Sequence, residues 1–261
     1  MEWTEISDCL CIKAKWAGTT FVLPPFSTNQ LAIGRALDIL LAMFRTIGKP
    51  FMIQGVEKFM LTILEGIKPG FFKFVPDRNN FDYVYNAEDL ATLAGRKYHA
   101  KKNHVNKFKN TYQDYRYLPL TSELTGMCID NAVEWCKKHG CQQGDGLDME
   151  KKAIIEALNS FDFLDLAGGA IMVEGKLEAF TFGERLNSDT VVVHVEKANP
   201  NIPGMYAVIN QEFSSRYWPQ FRYINREEDL GIPGLRKAKL SYHPEILLEK
   251  YIVTVNEPDN Q

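Results

Sequence analysis

Long apolar runs are missing from this 261-residue sequence. No stretch approaches the roughly 20 apolar residues that a helix needs to span a bilayer. The opening residues Met1, Glu2, Trp3, Thr4 and Glu5 also lack the basic-then-apolar order of a secretion signal. The expectation is a cytoplasmic protein with no transmembrane segment. A charge excess is missing too, because 33 acids against 30 bases leave a formal net charge of −3. No field over the whole surface draws such a chain onto nucleic acid, so DNA is not an expected partner and any anion site must be local. Cysteine is sparse, and Cys9, Cys11, Cys128, Cys136 and Cys141 contain no C-x-x-C pair. They read as reduced core thiols, and no metal site is expected.

What remains is an ordinary globular composition, 45% hydrophobic and 24% charged, which buries a core without staples. Strand patterns, apolar or alternating with β-branched residues, cover Cys9 to Lys15, Thr20 to Pro24, Phe51 to Val56, Phe71 to Val75, Arg116 to Leu120, Leu164 to Val173, Lys176 to Phe182, Thr190 to Lys197 and Gln220 to Asn225. Helical spacing covers Asn29 to Thr46, Glu57 to Ile67, Ala87 to Phe108, Glu123 to Lys138, Asp148 to Ser160 and Gly204 to Tyr217. Interleaved strands and helices argue an α/β fold. The order of elements in residues 8 to 67 is repeated in residues 163 to 240, which suggests an internal duplication. The stretch between them is a helical connector, and Gly140 to Gly146 within it reads as a loop.

Three segments carry charge in patterns that suit chemistry. In Asn225 to Tyr242 (NREEDLGIPGLRKAKLSY), Gly231 and Gly234 free the backbone and Pro233 suits a helix start, where N–H groups can hold an anion. Arg226, Arg236, Lys237 and Lys239 are candidates to clamp phosphate there, against the alternative of a salt-bridge network that only fixes a loop. In TVVVHVEK, strand alternation puts His194 and Glu196 on one face, as a pair able to orient a nucleophile and take its proton. The other reading is a polar solvent face. From Leu90 to Gln113 there is no acid, while Arg96, Lys97, Lys101, Lys102, Lys107 and Lys109 supply bases, a face suited to RNA phosphate or an anionic headgroup. Gly168 and Gly169 mark a close approach of another backbone or a ligand, or a bulge.

Taken together, GGAIMVEGKLEAFTFGE, VHVEKAN, INQEF, INREEDLG and GLRKAKLSYHP resemble the bacterial domain family related to the C-terminal catalytic domain of phosphatidylglycerol lysyltransferase. The Fem-type peptidoglycan aminoacyltransferases are similar at a greater distance. The resemblance implies an α/β (α+β) fold of two tandem GNAT-like acyltransferase modules joined by a helical connector. They would lie at residues 1–86, with the first helices of that module lacking, and at 87–261, which includes the connector. GRKYHAKKNHVNKF resembles the basic helix that joins the modules, with Lys101, Lys102 and Asn103 at the recognisable positions.

The implied function is transfer of an aminoacyl or related acyl group from an activated donor, such as aminoacyl-tRNA, to an amine or hydroxyl acceptor. Glu196 or Glu227 would accept the proton, with His194 and Asp229 beside them, and Tyr242 would return a proton to the leaving group. Strand N–H groups would stabilise the oxyanion. Lys197, Gly204, Asn225, Arg226, Arg236, Lys237 and Lys239 would hold the donor phosphate, and Arg96, Lys97, Lys101 and Lys102 would face tRNA or an anionic lipid. Coenzyme-A-dependent relatives cradle pyrophosphate with R-x-x-G-x-G/A before a helix. Here the stretch is Lys197-Ala198-Asn199-Pro200-Asn201-Ile202-Pro203-Gly204, and only the last glycine remains. Acyl-CoA-dependent N-acyl transfer is therefore the second reading, and a silent module that binds RNA or another anion is the third. No cofactor beyond the donor is expected.

Overall fold

The structure is a computed structural model that describes residues 1–138, 140–144, 146–217 and 219–256. In chain order the elements are β1 (Glu2–Ile6), β2 (Cys9–Trp16), β3 (Thr19–Val22), α1 (Gln30–Thr46), β4 (Met52–Glu57), α2 (Lys58–Ile67), β5 (Phe72–Pro76), β6 (Asp82–Asn86), α3 (Ala87–Thr92), α4 (His99–Thr111), β7 (Arg116–Pro119), α5 (Ser122–Lys138), α6 (Gly146–Asn159), β8 (Ala167–Val173), β9 (Lys176–Arg185), β10 (Thr190–Ala198), α7 (Met205–Tyr217), β11 (Tyr223–Asn225), α8 (Pro233–Leu240), β12 (Ile246–Leu248) and β13 (Lys250–Val255). They form a six-stranded sheet, β1-β2-β3-β4-β13-β5, and a seven-stranded sheet, β12-β6-β11-β10-β9-β8-β7. Mixed sheets flanked by helices make this an α/β fold, as the sequence pattern implies.

The chain divides into two compact units. The first comprises residues up to Asp82, Glu228–Pro233 and the chain from Leu247 onward; the second comprises Tyr83–Glu227 and Gly234–Ile246. The sequence reading draws a single boundary after residue 86 and leaves the C-terminus in the second module. In the structure the C-terminus returns, with β13 antiparallel to both β4 and β5. Local alternation in KYIVTV shows a strand but not which strands it will pair with.

In the first unit, α1 starts where the Asn29 side chain accepts from the N–H groups of Leu31 and Ala32. Its stripe Ala32, Ile33, Ala36, Leu37, Leu40, Leu41 and Phe44 is buried with Cys9, Cys11, Val22, Ile53 and Leu64. The second unit has a core on each face of its sheet. Tyr98, Val105 and Phe108 join α7 residues Val208, Ile209 and Phe213 on one face. Cys128 and Ala132 of α5 join Ile154 and Leu158 of α6 on the other.

Two local expectations change and a third is decided. The helix read over Ala87 to Phe108 is two helices, because Leu93 (φ 48°) and Gly95 (φ 88°) take left-handed backbone between them. Of the two readings of Gly168 and Gly169, close approach is the one found, since a Cβ at the first would press on Leu120 and the Thr181 carbonyl and at the second on Tyr117. Cys136 and Cys141 are bridged, with Cα atoms 5.2 Å apart, while Cys9, Cys11 and Cys128 are buried thiols. The loop over Gly140 to Gly146 is described except at Asp145, which lies outside the described residues.

Candidate active site at the splayed strands of the second unit

β10 and β11 run parallel and pair from Thr190↔Tyr223 to Val192↔Asn225. The ladder ends there, although β10 continues to Ala198. A crevice beyond the carboxyl ends of parallel strands is where α/β sheets place ligands. β10 also carries a bulge, with Val193 opposite Gly183 and Val195 opposite Phe182, so His194 has no ladder partner on β9. The extra residue shifts the alternation by one. His194 lines a cavity with Val195, while the carboxylate of Glu196 accepts from Asn210 Nδ2 of α7 at 3.1 Å. The sequence expectation that His194 and Glu196 share a face is therefore corrected, since unbroken alternation does not hold across a bulge.

Two ion pairs span the gap between the separated strands. Arg226 Nη2 donates to Glu196 Oε1 at 2.9 Å, and both side chains are nearly buried, 11% and 13% exposed. The guanidinium lies 4.9 Å from the Tyr242 ring and 5.6 Å from the Tyr85 ring. Lys101 Nζ lies 4.1 Å from the same Tyr242 ring. Burial, followed by the charge of Arg226, pulls the Lys101 ammonium below its ordinary pKa, and Glu196 opposes that shift. Burial pushes the Tyr242 phenol up.

The second pair is His194 with Glu227. Nδ1 of the imidazole is 2.8 Å from Glu227 Oε1, and Nε2 is 3.0 Å from Glu184 Oε1. Both carboxylates only accept, so the ring donates from both nitrogens as an imidazolium. The hydrogen bond to Glu227 raises its pKa above the ordinary value, burial opposes this, and Glu184 adds to the rise. Glu227 is held in left-handed backbone (φ 54°), its N–H donating to Asn225 Oδ1 at 2.8 Å. Such backbone in a non-glycine residue concentrates at functional sites. Lys239, buried on α8, donates its ammonium to the carbonyls of both Arg226 and Glu227.

Beside His194 a cavity of about 370 Å³ is lined by Glu150, Ala153, Ile154 and Ala157 of α6, by Leu164 and Leu166, and by Phe182, Glu184, His194 and Val195 of the sheet. The volume is at the small end of ligand pockets. Among the described residues no group of His, Cys, Asp and Glu is arranged to hold a metal ion.

The other candidates lie elsewhere. Asp229 belongs to the first unit, fully buried, accepting from Arg78 Nη1 at 3.1 Å and from the Gly231 N–H at 2.8 Å. Lys197 turns to α6, where Glu150 holds it with two bonds of 2.8 Å and the Trp135 ring lies 3.8 Å away. Arg236 is half-buried and Lys237 exposed on α8. Gly204 sits under the backbone of α4, where a Cβ would come within 2.6 Å of the His104 carbonyl. On the basic segment Lys97 pairs with Asp89 at 2.9 Å, Lys101 turns inward, and Arg96, Lys102 and Lys107 are exposed. Glu184, Asn210 and Tyr85 are partners that the sequence reading missed. For Glu184 and Asn210 the signal was a carboxylate or amide that ends an apolar run, whereas Tyr85 reads as an ordinary core aromatic.

The sequence profile of the family described as phosphatidylglycerol lysyltransferase, C-terminal, matches residues 1–254. The chain belongs to that family. A solved protein of unknown function from Bacteroides thetaiotaomicron is 44% identical, with a TM-score of 0.89 over 97% of this chain and 85% of that one. L-PGS from Bacillus licheniformis is 14% identical, with a TM-score of 0.68 over 99% and 85%. A tandem GNAT protein from the clavulanic acid biosynthesis pathway is 9% identical, with a TM-score of 0.53 over 97% and 80%. These likenesses show the fold as tandem GNAT-like. A curated protein of Mycoplasmoides gallisepticum is 20% identical over 212 residues, covering 78% of this chain, and the chain spans 63% of that relative's length. Among the described residues no helix is long and apolar enough to cross a membrane.

Proposed function

We propose that the second unit transfers an aminoacyl group from aminoacyl-tRNA to a hydroxyl of an anionic phospholipid. The observation that carries this reading is the Glu184–His194–Glu227 array beside a cavity, at the point where two parallel strands separate, in a member of a lipid-modifying family. The acceptor hydroxyl attacks the ester carbonyl and gives its proton to Glu227. The new bond joins acceptor oxygen to carbonyl carbon; the bond that breaks joins that carbon to the ribose oxygen, which takes a proton from the His194 imidazolium. Glu227 fits the base role better than Glu196, whose two oxygens are occupied by Arg226 and Asn210. Arg226, paired with Glu196, and Lys101 lie against the Tyr242 ring as two cations suited to a substrate phosphate, and Arg96, Lys102 and Lys107 present exposed positive charge to tRNA.

The loop before α7 supports this donor over coenzyme A. Its N–H groups at Asn199, Asn201, Ile202 and Met205 all donate within the protein, which leaves fewer of them for a pyrophosphate. The test is transfer of label from bulk tRNA charged with radiolabelled amino acids to phosphatidylglycerol vesicles. Labelled lipid is expected with the wild-type protein and about 100-fold less with Glu227→Gln, whose circular dichroism spectrum should show it folded at the assay temperature. Transfer from acetyl-CoA with none from aminoacyl-tRNA would overturn the proposal.

A further inference from the structure

The cavity beside His194 has two chemically different ends. Ala153, Ile154 and Ala157 fall on one stripe of α6 and face Phe182 and Val195 across the space, which gives apolar walls. At the other end Glu184 and His194 belong to the lining, and the His194 imidazolium is shared by two carboxylates, those of Glu184 and the neighbouring Glu227. That end carries a net charge of one negative unit when all three groups are ionised. The remaining acid on the wall, Glu150, is matched by the Lys197 ammonium, itself buried against Trp135. Its charge is taken up within the protein.

A ligand that complements this shape has one positive charge at the mouth and an uncharged body inside. An aminoacyl ester supplies both, an α-ammonium and a side chain. We infer that the cavity receives the side chain of a neutral, apolar aminoacyl group, of the leucine, methionine or phenylalanine class, with its α-ammonium held at the Glu184 and Glu227 carboxylates. The inference rests on the aminoacyl-transfer reading and adds its specificity. A lysyl side chain would bring a second ammonium against the alanines and Phe182, stripped of water with no unmatched carboxylate to receive it. Ala153 and Ala157 set the depth, because a larger residue at either position would fill the space that the ligand takes.

Amino acid amides keep the α-ammonium and replace the ester with a stable group, so they probe the cavity directly. Calorimetric titration of the full chain with L-leucinamide, L-phenylalaninamide, L-lysinamide and N-acetyl-L-leucinamide reads each end separately. Leucinamide or phenylalaninamide is expected to bind at least about tenfold more tightly than lysinamide, and the acetylated compound, which lacks the positive charge, is expected to fail. Ala157→Phe should weaken leucinamide by about tenfold or more, with Ala153→Leu as a second variant if the first melts early, and Glu184→Gln should do the same from the other end. Lysinamide binding as tightly as leucinamide would overturn the inference, as would tight binding unchanged by both cavity-filling variants, or no amide binding at all. The transfer assay separates this inference from the activity. Transfer from lysyl-tRNA with none from leucyl-tRNA sinks the apolar specificity and leaves aminoacyl transfer standing, whereas no transfer from any charged tRNA sinks the activity itself.

Discussion

Each unit contains a strand, a crossing helix and a second strand parallel to the first, but only one of the two fills the resulting gap with charge. In the first unit β3 and β4 meet at a single pair, Val22↔Ile53, and the chain beyond β3 continues as Leu23-Pro24-Pro25. In the second, β10 and β11 share three pairs, and the chain beyond them presents His194 and Glu196 to Glu227 and Arg226. Proline after β3 offers neither a proton nor an N–H. The same frame is thus a scaffold in one unit and, on the function proposed above, a reaction site in the other. The difference comes from a few residues just past the point where the strands part.

The sharpest way to break this comparison is to remove a charge from the gap. Arg226→Met leaves Glu196 nearly buried without its ion-pair partner, held by the Asn210 amide and the more distant Lys101 charge, and breaking a buried pair from one side costs roughly 3–5 kcal/mol. The expected loss, read by urea denaturation, should be absent from Gln54→Ala at the corresponding strand of the first unit, which should stay within about 0.5 kcal/mol of wild type. Equal losses from both would mean that the two gaps are equivalent. A smaller effect is expected from Lys239→Met. Its ammonium holds the carbonyls of Arg226 and Glu227, and hydrogen bonds to charged groups contribute roughly 1.5–3 kcal/mol. If its midpoint stays at the wild-type value, the lysine does not hold the left-handed Glu227 in place.

Much of the frame was legible. The runs Leu164 to Val173, Lys176 to Phe182 and Thr190 to Lys197 lie on β8, β9 and β10, because β-branched and aromatic residues packed on two faces give continuous apolar strings. The duplicated order of elements was also readable, since strand and helix periods are local. The bulge was not. TVVVHVEK alternates without a break in sequence, and only pairing with Gly183 and Phe182 shows that one residue is extra. The same applies to partner choice. Asp229 sits in a charged run with Arg226 and Glu227, yet its carboxylate goes to Arg78 within the first unit, because the chain passes from one core to the other between Glu227 and Glu228. Charge density marks a segment; burial and topology decide which of its members meet.

The imidazolium at the bulge gives the gentlest test of the comparison, since among the described residues nothing in the gap of the first unit resembles it. Folding raises the His194 pKa above its ordinary 6.5, chiefly through the hydrogen bond to Glu227. The stabilisation from this array is therefore fully present below about pH 6.5 and falls away as pH rises through the higher folded value, where the ring loses its proton. His194→Gln keeps a donor but does not titrate. Melting temperatures measured from pH 5.5 to 9 should decline more steeply above neutrality for the wild type than for the variant. The two curves should differ most at the acid end and draw together toward the alkaline end. A constant offset across that range would show that the ring is not bound to its carboxylates as a cation, and the His194–Glu227 pair would then lose its claim to the acid role.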